Sequence, residues 1–279
     1  DLNRLEKSGV KLQFFAVFVR PQEGIVLSIN RYLEQIAFFR QQLVENRSRI
    51  RLVSKPEDLA DLFSGDPIGA LLSVEGGECL EGRISNLYRL YYLGVRSLCL
   101  TWNLRNALAS GVSNPGAGLS DFGRQVVEEM NRLGMLIDVA HLAEDSYWDV
   151  LSCSTKPVIA SHANCRQLQD HPRNLSDRQM QALAQQGGVM GITLVNEFLG
   201  GRPGIDRVID HFVHACQVMG PLHVGLGTDF DGVDTPVREL EDVSCLPRLV
   251  EGLLRRGFND QLVEHVMGQN FLRVLSQTL

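Results

Sequence analysis

The chain of 279 residues contains no CxxC pair, and its six cysteines (Cys79, Cys99, Cys153, Cys165, Cys216 and Cys245) are scattered along it. That scatter argues against a disulfide framework or a structural zinc knuckle and favours a reducing, cytoplasmic setting. No apolar run approaches the roughly 20 residues that span a bilayer. The opening DLNRLEKSGV lacks the apolar centre of a signal peptide, and an initiating methionine is absent, which points to residues upstream of Asp1. Basic clusters are missing and the formal charge is -6, so nucleic acid and anionic membranes are poor partners and a small-molecule substrate is the simpler one. Neither GxGxxG nor GxxxxGK followed by Ser or Thr occurs, which weakens a nucleotide-binding reading. No Pro/Gly/Ser-rich linker or low-complexity tract divides the chain, so one domain over residues 1–279 suffices.

What is present is ordinary globular composition, 44% hydrophobic and 22% charged, arranged as short apolar runs alternating with helical segments. The candidate strands are VKLQFFAVFV from Val10, IGALLSVEG from Ile68, VRSLCLT from Val95, GMLIDVAH from Gly134, PVIASH from Pro157, GGVMGITLV from Gly187 and HVGLGTDF from His223. Between them lie LSINRYLEQIAFFRQQLVENR, SNLYRLYYLG, SDFGRQVVEEMNRLG, SDRQMQALAQQGG and IDRVIDHFVHACQVMG, several with Ser or Asp at the start and Gly at the end. RLVSKPEDLADLFSG reads as a brief extended piece and a short helix inside a longer connection. VREL, CLPRLVEGLLRRG and NDQLVEHVMGQNFLRVL read as helical. The alternation predicts parallel strands with helical crossovers. Seven strands are compatible with a doubly wound sheet or with an α/β (β/α)8 TIM-type barrel whose first strand is missing from this chain. The start without methionine and the absence of nucleotide-binding loops favour the barrel.

Polar residues fall where these runs end. Glu75 ends LLSVEGG, Thr101 and Trp102 end SLCLTW, His141 ends LIDVAH, His162 ends VIASH and Asp229 ends VGLGTD. In a barrel, reactive groups come from strand carboxyl ends because the loops there converge on one mouth. Strand alternation is expected to put Ile137, Val139 and His141 on one face, and Val158, Ala160 and His162 likewise. Two imidazoles on neighbouring strands, roughly 4.8 Å apart, with the carboxylate of Glu75, form a donor set that zinc accepts. Taken singly, each residue has a structural alternative: a satisfied core histidine, an ion-paired glutamate, a turn cap.

Asp229 and Asp231, two apart over Gly225 and Gly227, are expected to share a face, where a carboxylate can carry a proton between water and a leaving amine. The alternative is an acidic calcium-type turn, whose further spaced carboxylates are lacking. Arg173 in HPRNLSD follows the His162 strand, where a guanidinium could grip a carboxylate bidentately or simply lie on the surface. Cys165 is a possible fourth ligand, though a thiol so placed is more often inert packing. Asp138 is expected on the face opposite His141 as a partnered structural carboxylate. His211 and His214, among polar neighbours on a predicted helix, read as solvated.

These strings resemble the membrane (renal) dipeptidases and their bacterial relatives, a family of zinc metallopeptidases. The similarity runs through GVKLQFFAVFV, LLSVEGGECL, LTWNLRNALASG, GLSDFGRQVVEEMNRLGMLIDVAHLAEDSYWDVL, KPVIASHANC, HPRNLSDRQ, GLGTDFDGV and GQNFLRVL. The resemblance implies a (β/α)8 barrel with two zinc ions, Glu75 bridging them and His141 and His162 completing the second site. It implies Asp229 as the residue that handles the proton at the scissile amide and Arg173 as the one that binds the substrate's terminal carboxylate. The implied reaction is dipeptide hydrolysis by a zinc-bridging hydroxide, with small dipeptides as substrates, D-residues at the carboxyl side included. It also implies a homodimer.

Three departures stand out. The family holds its first metal partly through an HxD pair on the first strand, and no HxD occurs in this chain. Trp102 stands where the vertebrate enzyme has a substrate-contacting histidine, which passes oxyanion stabilisation to another group such as Asn103. An aliphatic residue, Leu194, takes the place of a tyrosine near the end of GGVMGITLV. Two other readings stay open: a metal-dependent amidohydrolase acting on a non-peptide amide or lactone, and a degenerate barrel that has lost one metal site and binds a ligand.

Overall fold

The computed structural model describes residues 1–21, 28–60, 62, 67–201 and 203–279. They form two compact units, an amino-side unit of Val10–Pro157 with Leu275–Leu279 and a carboxy-side unit of Asp1–Gly9 with Val158–Val274. Among the described residues the helices in chain order are α1 Leu2–Lys7, α2 Ile29–Glu45, α3 Glu57–Ala60, α4 Ile84–Tyr92, α5 Asp121–Leu133, α6 Glu144–Cys153, α7 Asp177–Gln185, α8 Asn196–Leu199, α9 Ile205–Met219, α10 Leu246–Arg255, α11 Asp260–Glu264 and α12 Asn270–Thr278. The strands are β1 Leu12–Phe18, β2 Ile50–Leu52, β3 Ile68–Glu75, β4 Val95–Cys99, β5 Leu136–Asp138, β6 Ile159–Ala163, β7 Val189–Ile192 and β8 Val224–Leu226.

In the amino-side unit β1, β3, β4 and β5 pair in parallel in that order. Their register aligns Phe18 with Glu75, Glu75 with Cys99, and Cys99 with Asp138 at the carboxyl ends. β3 is buried along nearly its whole length because helices cover parallel sheets on both faces. β2, paired with the first residues of β3, is the strand that raises the count from seven to eight. Three residues are too few to show alternation, so in sequence it reads only as the brief extended piece of RLVSKPEDLADLFSG. The short helix of that stretch is α3; its residues 61 and 63–65, like Leu27 at the head of LSINRYLEQ, lie outside the described residues. Ser120 caps α5 by accepting from Gly123 N–H at 2.9 Å, and Gly134, at φ 72°, ends it.

In the carboxy-side unit β6, β7 and β8 pair in parallel. The backbone segments of β6, β7 and the end of β8 approach so closely that no side chain fits between them. A methyl group at Gly191 or Gly227 would drive into the Ser161 carbonyl oxygen. α7 opens with a capping box, Ser176 and Gln179 satisfying each other's backbone N–H groups.

Two sequence expectations about helices fail in this unit. VREL is not helical: Leu240 N–H donates to Val237 O at 3.0 Å and Glu239 takes φ 75°, a tight turn, since four residues cannot repay helix nucleation. His211 is not solvated. It is fully buried on α9, and its Nδ1 accepts from Cys165 N–H at 3.1 Å. His214 is half-buried, its Nε2 2.8 Å from Asp177 Oδ1. Polar neighbours in sequence mislead here because helical neighbours at three and four residues, not adjacent ones, share a face.

Burial pushes the His211 pKa down to about 4. The folded state therefore holds fewer protons than the unfolded chain below about pH 6.5, and this stabilisation is complete at pH 7.5 and lost as pH falls toward 4. The expected contribution to the loss between pH 7.5 and pH 5 is about 2 kcal/mol. His211→Asn, which keeps an acceptor for Cys165 N–H, should flatten the pH dependence of urea unfolding by about that amount, and equal slopes for both proteins would refute the assignment. Gly227→Ala should cost about 3 kcal/mol or more through steric overpacking, read as a lowered urea midpoint.

Candidate metal centre

Glu75 ends β3, and the two glycines after it let the chain turn across the end of β4. Gly76 N–H donates to Cys99 O at 3.1 Å and Gly77 N–H to Leu100 O at 3.2 Å. Gly76 takes φ 94°, and a Cβ at Gly77 would lie 2.7 Å from Leu100 O. The EGG string is thus a steric requirement of this turn, and it leaves Glu75 at the strand's exit, partly exposed.

His141 reaches Glu75 by a route that strand alternation does not describe. β5 stops at Asp138, and His141, three residues later, occupies the left-handed region at φ 69°. Asp138, buried, shapes the turn: its Oδ1 accepts from Ala140 N–H at 3.0 Å. The expectation that Asp138 is a partnered structural carboxylate holds. The imidazole so aimed puts Nε2 2.8 Å from Glu75 Oε1 and Nδ1 2.7 Å from Asn103 Oδ1. The indole of Trp102 lies 5.9 Å from the imidazole, ring centre to ring centre, with Phe18 on it at 5.5 Å and the Arg20 guanidinium 5.8 Å away. Glu75, Trp102, Asn103 and His141 therefore form one cluster at the carboxyl ends of the amino-side strands.

The loop that carries Trp102 and Asn103 is fixed from two sides. Val112 N–H donates to His141 O at 2.9 Å, and the next residue, Ser113, donates to Asn103 O at 2.8 Å. Gly111 has no room for a side chain, since a Cβ would lie 2.5 Å from Asn103 O and Leu104 O. Farther along, Asp145 on α6 accepts from Gly116 and Gly118 N–H at 2.7 and 2.9 Å.

In the carboxy-side unit His162 lies in β6, partly exposed, with Nδ1 2.7 Å from Ser161 Oγ. Arg173 is buried, against the surface-arginine alternative. Its Nη2 donates to His162 O at 3.3 Å, and its guanidinium lies 5.1 Å over the Phe198 ring, which also carries His171 at 4.5 Å. Asp229, at φ 57°, begins a short 3-10 turn, Phe230–Gly232. Gly232 lies directly under its carboxylate, where any side chain would collide with it. Asp231, on that turn and exposed, does not share a strand face with Asp229 as expected, because β8 ends at Leu226. Cys165 is buried and its Sγ donates to His211 O at 3.4 Å; burial drives its thiol pKa up, which suits packing rather than ligation. Leu194 is buried, its N–H donating to Thr228 O at 3.2 Å.

The sequence reading did not foresee the turn-shaping role of Asp138, the ring of Phe198 under Arg173, or the Gly111–Ser113 segment that joins His141 to Asn103. Only the last left a signal, a glycine in ALASGVSN with no helix to end.

Comparison with known proteins places this geometry. The family model described as Membrane dipeptidase (Peptidase family M19) matches residues 1–279. A Klebsiella pneumoniae protein described as an uncharacterized protein in the pqqA 5' region is 34% identical, covering 87% of this chain and 94% of that one. Dipeptidase verJ of Clonostachys rogersoniana is 32% identical, covering 99% of this chain and 74% of that one. A crystal structure of a metallo peptidase from Rhodobacter sphaeroides, liganded with a phosphinate mimic of the dipeptide L-Ala-D-Ala, is 25% identical and fits with a TM-score of 0.94 over 100% of this chain and 90% of that one. The fold class is the α/β TIM-barrel type of these neighbours, as the sequence led us to expect. The chain belongs to the membrane dipeptidase family, peptidase family M19, and is a hydrolase of the metallopeptidase kind.

Proposed function

We propose that the protein is a zinc-dependent dipeptidase, built as a single hydrolase barrel domain over residues 1–279, that cleaves small dipeptides. One observation carries the reading: in a chain matched end to end by a metallodipeptidase family, Glu75 Oε1 and His141 Nε2 lie 2.8 Å apart at the strand exits. The donor chemistry supports it, since Glu75, His141 and His162 offer one carboxylate and two imidazoles, the mixture that zinc accepts. Glu75 is the proposed bridge to a second zinc, whose family HxD ligands do not occur in these 279 residues. Zinc in such a site supplies a Lewis acid for the scissile carbonyl and acidifies water toward a pKa of about 7.

The chain's own residues do the rest. Asp229 takes a proton and returns it to the leaving amine, held for that by its left-handed turn over Gly232. Arg173, its stem buried and its guanidinium stacked on Phe198, receives the substrate's terminal carboxylate. Trp102 and Asn103 border the substrate, and Asn103 takes the oxyanion-facing role that a histidine has in the vertebrate enzyme. The phosphinate mimic of L-Ala-D-Ala in the Rhodobacter neighbour supports a D-residue at the carboxyl side. No described helix is long and apolar enough to cross a membrane. The six free cysteines support a reducing, cytoplasmic setting, and a homodimer is the proposed assembly.

Purified full-length protein should hydrolyse L-Ala-D-Ala and lose that activity on zinc chelation. Asp229→Asn should lower kcat about 100- to 10,000-fold with little change in KM. Arg173→Ala should raise KM for dipeptides roughly 10- to 100-fold, the loss of a charged hydrogen-bond pair, while leaving neutral amide substrates unaffected. Unchanged dipeptide kinetics in Arg173→Ala would favour the amide or lactone hydrolase instead.

A further inference from the structure

We propose that Asn103 is a positioning residue that sets the tautomer of His141, its side-chain Oδ1 accepting the Nδ1 proton so that the lone pair stands on Nε2, the nitrogen facing Glu75. The inference rests on the reading of Glu75 and His141 as metal ligands. With a metal on Nε2, a neutral imidazole carries its one proton on Nδ1 and needs an acceptor there; without the metal, the Glu75 carboxylate 2.8 Å from Nε2 competes for that proton. Here the acceptor at Nδ1 is a carboxamide oxygen at 2.7 Å. An amide turned the other way would donate to Nδ1, move the proton to Nε2 and leave no lone pair for a metal.

The arrangement is built to hold. Asn103 and His141 are 38 residues apart in sequence, yet consecutive residues tie down both backbones, Val112 N–H on His141 O and Ser113 N–H on Asn103 O. Gly111 lets this segment come within van der Waals range of Asn103. Trp102 lies beside the imidazole, its ring tilted by 33° at 5.9 Å between centres. At His162, Ser161 Oγ lies 2.7 Å from Nδ1, so the other proposed imidazole ligand also has a polar side chain on one ring nitrogen. Asn103 Oδ1 is committed to His141, and only the amide Nδ2 remains to face a substrate oxygen.

The test uses full-length protein with zinc affinity read by competition against a chromogenic chelator. Outer hydrogen-bond partners of ligand histidines are worth about 10- to 100-fold in metal affinity. Asn103→Leu should weaken zinc binding by that factor, and Asn103→Asp, which keeps an acceptor oxygen in place, should restore it to within a few-fold of wild type. Equal loss in both variants, or no loss in Asn103→Leu, overturns the proposal. Long-range proton–nitrogen correlation spectra of histidine-labelled wild-type protein give an independent reading: a proton on Nδ1 of His141 supports the proposal, and its absence from Nδ1 overturns it even if Asn103→Leu fails to fold. His141→Ala separates the two layers of argument. Wild-type zinc affinity in that variant removes His141 from the metal site, whereas lost affinity there with unchanged affinity in Asn103→Leu keeps His141 as a ligand and overturns the role of Asn103 alone.

Discussion

One backbone torsion organises the proposed chemistry of the amino-side unit. His141 sits at φ 69°, a region that costs a residue with a Cβ on the order of 1 kcal/mol or more. It stays there because Asp138 caps the turn from inside and Val112 grips the carbonyl from the facing loop. Relaxed to a right-handed conformation, the imidazole would leave both Glu75 and Asn103. The strain is therefore what aims the ring, and the buried carboxylate of Asp138 has its place in the fold as part of the same device.

The carboxy-side unit solves the matching problem in the same way. Asp229 also stands beyond its strand at a positive φ, 57°, and also depends on a close approach, here Gly232 under its carboxylate and Gly227 against the Ser161 carbonyl. β5 and β8 are only three residues long. In each unit the short strand leaves the proposed residue on a turn rather than on a strand face. Arg173 belongs to the opposite type: it is placed by packing, with an aromatic ring beneath it and a carbonyl beside it.

Much of this was legible in the sequence. The strings that end in Glu75, His141, His162 and Asp229 mark strand exits, and the order of strands and helices gives the fold class. His141 and the Asp229–Asp231 pair escape strand alternation for one reason. Apolar runs such as LIDVA and HVGLG continue past the last ladder hydrogen bond, and although His and Asp enter the left-handed region more readily than most residues, they do so too seldom for their type to announce the turn. His211 was misread because adjacent polar residues do not share its helix face, and its partner, Cys165 N–H, lies 46 residues away. The partnership of Asn103 with His141 was likewise invisible, since it depends on two loops meeting.

The segment from Gly111 to Ser113 secures both loops with main-chain N–H groups alone. Any residue except proline supplies such a group at positions 112 and 113. Side chains there are free to vary without removing either hydrogen bond. The part of the frame that tolerates variation is thus bonded directly to the backbone of the proposed ligand and its partner, while the steric demand falls on Gly111.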